Sequence, residues 1–140
     1  MDELSLHIDV TDDTIVIFKI GGKPKPADVH DVLSSIRDEY LRWDAPRSVI
    51  FDLTELQYGG AEVRRILADW RKKNALLLRS SVYSGAYVIS SAIVRGMLTA
   101  VGWVFRPPIS RVAAVDTVAN ALVTVRAWEA ERATPVQPSR

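Results

Sequence analysis

The residues with the clearest potential for chemistry are a glycine pair, Gly59-Gly60, which lies between a polar turn and a predicted helix. Backbone N–H groups at a helix N-terminus lack internal partners and lie at the positive end of the helix dipole, so such a pair could bind an anion. The same pair could be a tight turn, because glycine has few backbone restrictions. Its spacing matches neither the Gly-x-x-x-x-Gly-Lys-Ser/Thr nor the Gly-x-Gly-x-x-Gly motif, so nucleotide hydrolysis has no support.

The histidines and serines do not form a recognisable catalytic or metal-binding set. His7 and His30 have no second histidine or carboxylate at metal-ligand spacing. Asp31 follows His30, but neighbouring residues on a helix point about 100° apart and cannot easily support each other. No serine stands in a Gly-x-Ser-x-Gly turn. We therefore expect no enzymatic activity, no metal and no cofactor.

The most basic part of the sequence lies in the predicted helix after the glycine pair. Arg64, Arg65, Arg71 and Lys72 lie seven apart in pairs, so they share one side of that helix. Such a face is either solvated or contacts an acidic protein surface. The net charge of +1 and the lack of interleaved aromatic residues argue against nucleic acid.

An aromatic segment, Trp103-Val104-Phe105, precedes Arg106-Pro107-Pro108 just after a predicted helix end. Its side chains either close one end of the core or form an apolar patch for a partner or a second copy of the chain, since aromatic residues dominate interface energies. Trp103 and Phe105 are therefore candidates for self-association, which would make the protein a homo-oligomer.

Length and composition favour one domain without covalent reinforcement. The 140 residues are enough to bury a core, and the absence of cysteine excludes disulfides and thiol chemistry. The acidic start, Met1-Asp2-Glu3, is unlike a secretory signal, so we expect a cytoplasmic protein. The apolar stretch from Ala86 to Phe105 contains Arg95, which costs about 2.5–3.5 kcal/mol in a bilayer, so we expect no membrane span.

Apolar periodicity indicates the elements that must position these residues. A short apolar strand, Val49 to Asp52, runs into the polar turn and then into a helix from Ala61, which is typical of a central strand of an α/β sheet. The whole pattern predicts an α/β fold with the order β-β-α-β-α-β-α-β-α, a single mixed sheet of about five strands and about four helices. We predict a domain over residues 1–130 and a disordered tail over residues 131–140.

The other predicted elements follow the same rules. Four further strands are expected at Leu4–Val10, Ile15–Ile20, Ser110–Val115 and within Ser81–Ile89, where Ala86–Ile89 is the best candidate. Helical stripes run from Val29 to Leu41, from Val63 to Trp70, from Ile93 to Val101 and from Val118 to Trp128, and Asp116 or Thr117 can cap the last helix.

The order and spacing of these segments resemble a STAS domain, the family named for sulfate transporters and anti-sigma-factor antagonists. The strand Val49-Ile50-Phe51-Asp52-Leu53-Thr54-Glu55-Leu56 resembles the family's signature strand, an apolar run followed by Asp-Leu-Ser. Ile15 to Gly22, Asp28 to Tyr40, Ala86 to Leu98 and Val112 to Leu122 resemble its other conserved segments. The resemblance covers roughly residues 4 to 128.

The resemblance implies a non-catalytic, regulatory protein–protein interaction domain of bacterial type. Its partner would be an anti-sigma factor, a switch kinase or another STAS-like chain. Phosphorylatable members usually carry Asp-Ser at the start of the second helix, where this chain has Gly60 and Ala61, so we predict no serine switch. The partner-binding surface would comprise Thr54, Glu55, Tyr58, Gly59, Gly60, Glu62, Arg64 and Arg65.

A second hypothesis from a different class is a small-ligand module of the same fold. In it, a lipid or an anionic metabolite would lie near Gly59-Gly60 and between the second and third predicted helices.

Overall fold

The computed structural model describes residues 3–10, 13–100 and 111–133. Within them the chain forms one five-stranded sheet and five helices. The strands are β1 (Ser5–Val10), β2 (Ile15–Gly21), β3 (Arg47–Asp52), β4 (Val82–Val88) and β5 (Val112–Val115); the helices are α1 (Pro26–Leu41), α2 (Ala61–Lys73), α3 (Ala75–Ser81), α4 (Ala92–Ala100) and α5 (Val118–Ala133).

The strands lie in the sheet in sequence order, β1-β2-β3-β4-β5. The β1–β2 hairpin is antiparallel and the three following pairs are parallel, which confirms the mixed sheet. Right-handed crossovers between strands that advance in one direction place their helices on the same face. The helices α1 to α4 accordingly share one face, and α5 packs on the other against β3, β4 and β5.

The central strands are buried on both faces because their residues alternate between two cores. Phe51 points towards α1 and α2, while its neighbour Ile50 points towards α5. Phe51 stacks on Phe18 of β2 at 5.1 Å and on Tyr87 of β4 at 5.4 Å, each its direct partner in the register. This row of rings, called here the aromatic ladder, lies on the face of the sheet that α1 and α2 cover, called here the α1–α2 face.

Hydrogen bonds and an ion pair hold α5 on the opposite face of the sheet. The hydroxyls of Ser48 and Ser84, both fully buried, lie 2.6 Å apart, and Ser48 Oγ also donates to Glu129 Oε2 at 2.5 Å. Arg132 contacts Glu129 at 3.3 Å and donates to the carbonyl of Pro46 at 2.8 Å. The C-terminal end of α5 is thereby anchored at the amino ends of β3 and β4.

Two details of the architecture differ from the predicted boundaries. The described residues form five helices where about four were expected, because Asn74 ends α2 and α3 then packs Leu77 and Leu78 against the core. The Asn74 amide donates to the carbonyl of Trp70, which competes with continuation of the helix. The helix α5 runs to Ala133, so residues 131–133 are not part of a disordered tail, and residues 134–140 lie outside the described residues.

Smaller differences concern single side chains and strand ends. The strand β4 begins at Val82, four residues before its best predicted start at Ala86. Leu41 and Ile93 were predicted in buried stripes but are 54% and 64% exposed. Thr117 Oγ1 accepts a hydrogen bond from the Asn120 N–H, so Thr117 is the cap of α5.

Candidate functional site

The predicted turn lies at the carboxyl end of β3 and is fixed first by Asp52. One carboxylate oxygen of Asp52, Oδ1, accepts hydrogen bonds from the backbone N–H of Thr54 at 3.2 Å and from its hydroxyl at 2.7 Å. An aspartate that bonds to the chain two residues later forms an Asx turn. Asp52 is buried, so its role here is to shape the turn.

The middle of the turn is tied to the end of β2. The Gly22 N–H donates to the carbonyl of Glu55 at 3.0 Å, and Gln57 returns a bond to the carbonyl of Gly22 at 2.9 Å. Gly22 has a positive φ of 98°, which glycine adopts at little cost. Lys19 also pairs with the Glu55 carboxylate at 3.2 Å. The turn is therefore a bonded extension of the sheet edge.

The two glycines of the pair differ in their surroundings. A Cβ on Gly59 would lie 2.7 Å from a Val63 methyl carbon and 3.1 Å from the Pro24 ring, so close packing requires glycine there. A Cβ on Gly60 would meet no described atom within 4 Å. Gly60 is the N-cap of α2 and Ala61 its first residue, and no described side chain caps this helix.

The residues around this turn expose an aromatic ring beside a cation. Tyr58 is 48% exposed, and the Arg64 guanidinium carbon lies 6.0 Å from the centre of its ring. That distance is at the outer limit of a cation–π contact. Thr54, Glu55, Gly60, Glu62 and Arg65 are also exposed, so six of the eight predicted partner-binding residues are exposed on this turn and the start of α2; Arg64 is half-buried and Gly59 is buried.

The basic residues of α2 divide into two pairs that the sequence did not distinguish. Arg65 and Lys72 are exposed, whereas Arg64 and Arg71 are half-buried. The Arg71 Nε is buried without a hydrogen-bond partner among the described residues. Burial raises the pKa of the Tyr87 hydroxyl, and the nearby Arg71 charge opposes that rise. Arg71 therefore lies towards the core, and the exposed charge of this face is smaller than the sequence suggests.

A neighbouring loop that sequence reasoning missed joins the same edge. Ser90 Oγ donates to the carbonyl of Thr54 at 3.4 Å, which places the β4–α4 connection beside the turn. Ile93, in the first turn of α4, is exposed. Its position three and four residues before other apolar positions favoured a buried stripe, and the sequence pattern gives no signal of its exposure.

An apolar cavity lies beneath the turn, between α1, α2 and the sheet. It encloses about 60 Å³ and is bordered by side chains from both helices and from β2, β3 and β4. The hypothesis of a small ligand placed it between the second and third predicted helices, which correspond to α2 and α4. The cavity instead lies between α1 and α2.

The described residues contain no group of three or more histidines or acidic residues that could hold a metal ion. Within the same residues, no helix is long and apolar enough to cross a membrane. The predicted self-association residues Trp103 and Phe105 lie outside the described residues.

Comparisons with known proteins identify the fold through solved structures and not through sequence. A scan against protein-family models and a search of curated protein sequences both find no match. Solved structures do match the fold. An anti-sigma factor antagonist from Mycobacterium paratuberculosis superposes with a TM-score of 0.63 at 18% identity, over 89% of this chain and 96% of that one. The chain has a STAS-like fold.

Two further structures support the same fold. The unphosphorylated anti-sigma factor antagonist SpoIIAA matches with a TM-score of 0.61 at 15% identity, over 88% of this chain and 97% of that one. A protein from Shewanella loihica with a SpoIIAA-like fold gives 0.60 at 15% identity, over 89% and 95%. Each match covers about nine-tenths of this chain and nearly all of the other, so the resemblance seen in the sequence is confirmed at the level of the fold.

Proposed function

We propose that this STAS-like domain is a non-catalytic regulatory module that binds a protein partner through the turn from Thr54 to Glu62 and the adjoining outer face of α2. The observation that carries the proposal is the exposure of Tyr58 beside the half-buried Arg64 of α2, on a turn that is bonded to the sheet on both sides. A surface that is already ordered loses little conformational entropy when it binds.

The chemistry of this surface suits a protein partner. Tyrosine and arginine are enriched among the residues that contribute most to interface energies, because each combines a large apolar area with polar groups. Glu55 and Glu62 stand beside Arg64 and Arg65, so the surface carries both signs of charge. Mixed charge of this kind sets the orientation and specificity of a partner.

The nature of the partner is suggested by proteins that share the fold. Two of the matching structures are anti-sigma factor antagonists. An anti-sigma factor, a switch kinase or another STAS-like chain in bacterial-type cytoplasmic regulation is therefore the kind of partner we propose here. The N-terminus of α2 presents Gly60 and Ala61, neither of which has a hydroxyl, so binding would proceed without a serine switch at this position.

Quantitative affinity purification tests the proposal. The tagged chain is recovered from its native cells as wild type, as the Arg64→Glu/Arg65→Glu variant, and as the Arg79→Glu/Arg126→Glu variant, which changes exposed residues of α3 and α5 by the same total charge. We expect the first variant to lose a specific protein partner by about tenfold and the second to retain it. Equal recovery by all three proteins, with folding verified by circular dichroism, would contradict the proposal.

A further inference from the structure

The cavity beneath the turn has the features of a binding site rather than of a packing gap. Protein interiors contain few voids larger than a water molecule. This one encloses about 60 Å³, room for roughly four water-sized spheres or more. Apart from the Tyr87 hydroxyl, its lining side chains are hydrocarbon, so water inside would lack the two to four polar partners that it needs.

The position of the cavity follows from a change in side-chain size along the strands. The aromatic ladder crosses the sheet at Phe18, Phe51 and Tyr87 and supports α1 above it. Two residues further along, on the same face, stand the smaller Ile20 of β2 and Leu53 just after β3. Beyond the ladder, the cavity lies between the sheet and the apolar cluster that Val29, Leu33 and Val63 form between α1 and α2. Leu67 and Trp70 of α2 pack against both this cluster and the one on the sheet.

The cavity has a route to solvent at the carboxyl edge of the sheet. Its lining includes Leu4, Ile20 and Leu56, which are only half-buried and stand at the start of β1, the end of β2 and the turn after β3. Pro24 of the β2–α1 loop completes this rim. The rim is distinct from the proposed partner-binding residues Tyr58, Arg64 and Arg65, none of which lines the cavity.

We propose that this cavity is a binding site for a short aliphatic chain, either a small apolar molecule or the end of a longer chain whose remainder leaves past Leu56. The lack of charged lining groups selects an apolar body. Its size sets the length, because a cavity of about 150 Å³ accepts the six carbons of benzene, so one of about 60 Å³ admits a chain end of about two or three carbons. This site is independent of partner binding and extends the proposed function.

A series of straight-chain alcohols from ethanol to 1-octanol tests the site, with methyl NMR spectra of the full chain as the readout. We expect shifts confined to cavity methyls such as those of Leu33, Leu53 and Val63, and none at Val118 or Val125 on the α5 face. The affinity should rise about fourfold per methylene group, which corresponds to about 0.8 kcal/mol, and should level off near 1-propanol. An affinity that rises evenly to 1-octanol, with shifts on both faces, would show unspecific partition and overturn the proposal.

Two variants and a control locate the binding. Leu33→Phe fills the interior, and Leu56→Trp blocks the half-buried rim with less risk to folding. Both should weaken 1-propanol binding by about tenfold or more, while Val123→Trp, on the exposed side of α5, should leave it unchanged. Unaltered binding in the folded Leu56→Trp protein, or the absence of any site-specific shift in the wild type, would refute the assignment.

Discussion

The two faces of the sheet are covered in contrasting ways. Of the described helices, one face carries only α5, whose Ala121 packs on Ala86 of β4 and whose Glu129 is bonded to buried serines. The other face carries α1 to α4 above the aromatic ladder, and it leaves a cavity that opens towards the turn. Polar bonds therefore anchor the helix on one face, whereas the other face has an incompletely filled core beside the turn that we propose for partner binding.

Alkaline unfolding should expose the largest difference between the faces. Tyr40 and Tyr87 both lie in the α1–α2 face, where burial raises their pKa values above the usual 10.0. The charge that Tyr87 would carry when ionised raises the pKa of Tyr40 further. At a pH between the unfolded and the folded pKa, the folded protein keeps the hydroxyl proton, whereas the unfolded chain releases it. The stability contributed by each hydroxyl is therefore complete below about pH 10 and is lost as pH rises from there towards the raised pKa of the folded state.

The Tyr40→Phe/Tyr87→Phe variant isolates this effect. Between about pH 9 and pH 11 the wild type should lose about 3 kcal/mol more of its free energy of unfolding than the variant does, as measured by urea titration. Both proteins carry the same lysines, so the difference reports the two phenols. If the wild type and the variant lost the same free energy of unfolding over this pH range, these hydroxyls would ionise freely in the folded protein.

The anchor of α5 should give the next largest effect. Replacing Glu129 by alanine removes the acceptor of the buried Ser48 hydroxyl and the partner of Arg132, and should lower the free energy of unfolding by about 2 kcal/mol. Glu131→Ala, an exposed site on the same helix, serves as the control and should change it by less than about 0.5 kcal/mol. Denaturation of both variants in guanidinium compares the two sites. If the two variants were equally stable, Glu129 would not anchor α5.

The smallest expected effect tests the packing contrast itself. The same change, Val→Ile, adds one methylene group on either face. At Val29, which borders the cavity, it should stabilise the protein by up to about 0.8 kcal/mol. At Val125, fully buried between α5 and the sheet, it should destabilise by about 1 kcal/mol or more through overpacking. Calorimetry of thermal unfolding measures both changes in stability. If the two substitutions changed stability in the same direction, the two faces would not differ in packing.

The sequence predicted the sheet well because its signals are local. The alternation in β1 and the apolar runs in β2 and β3 each depend on a few neighbouring residues. The strand-turn-helix pattern from Val49 to Ala61 likewise placed the turn correctly at the carboxyl edge. The helix α3 was missed because Leu76, Leu77 and Leu78 continue the apolar character of α2, and only the bonds of Asn74 divide the two helices.

The features that depend on distant residues were not predictable in the same way. Ser48 lies 36 residues from Ser84 and 81 from Glu129, so nothing local marks the three as a network. The cavity depends on how far α1 and α2 stand from the sheet, which no periodicity encodes. The division of the α2 arginines also appears only once Arg64 is seen beside Tyr58 and Arg71 near Tyr87.

The central claim is that the turn after β3, and not the α5 face, meets the partner. A photo-crosslinking amino acid placed at Tyr58 in one protein and at Val123 in another tests it directly, because both side chains are exposed, Tyr58 on the turn before α2 and Val123 on α5. Irradiation in native cells should give a discrete protein adduct from position 58 and none from position 123. An adduct from position 123, or none from position 58, would contradict the proposed binding surface.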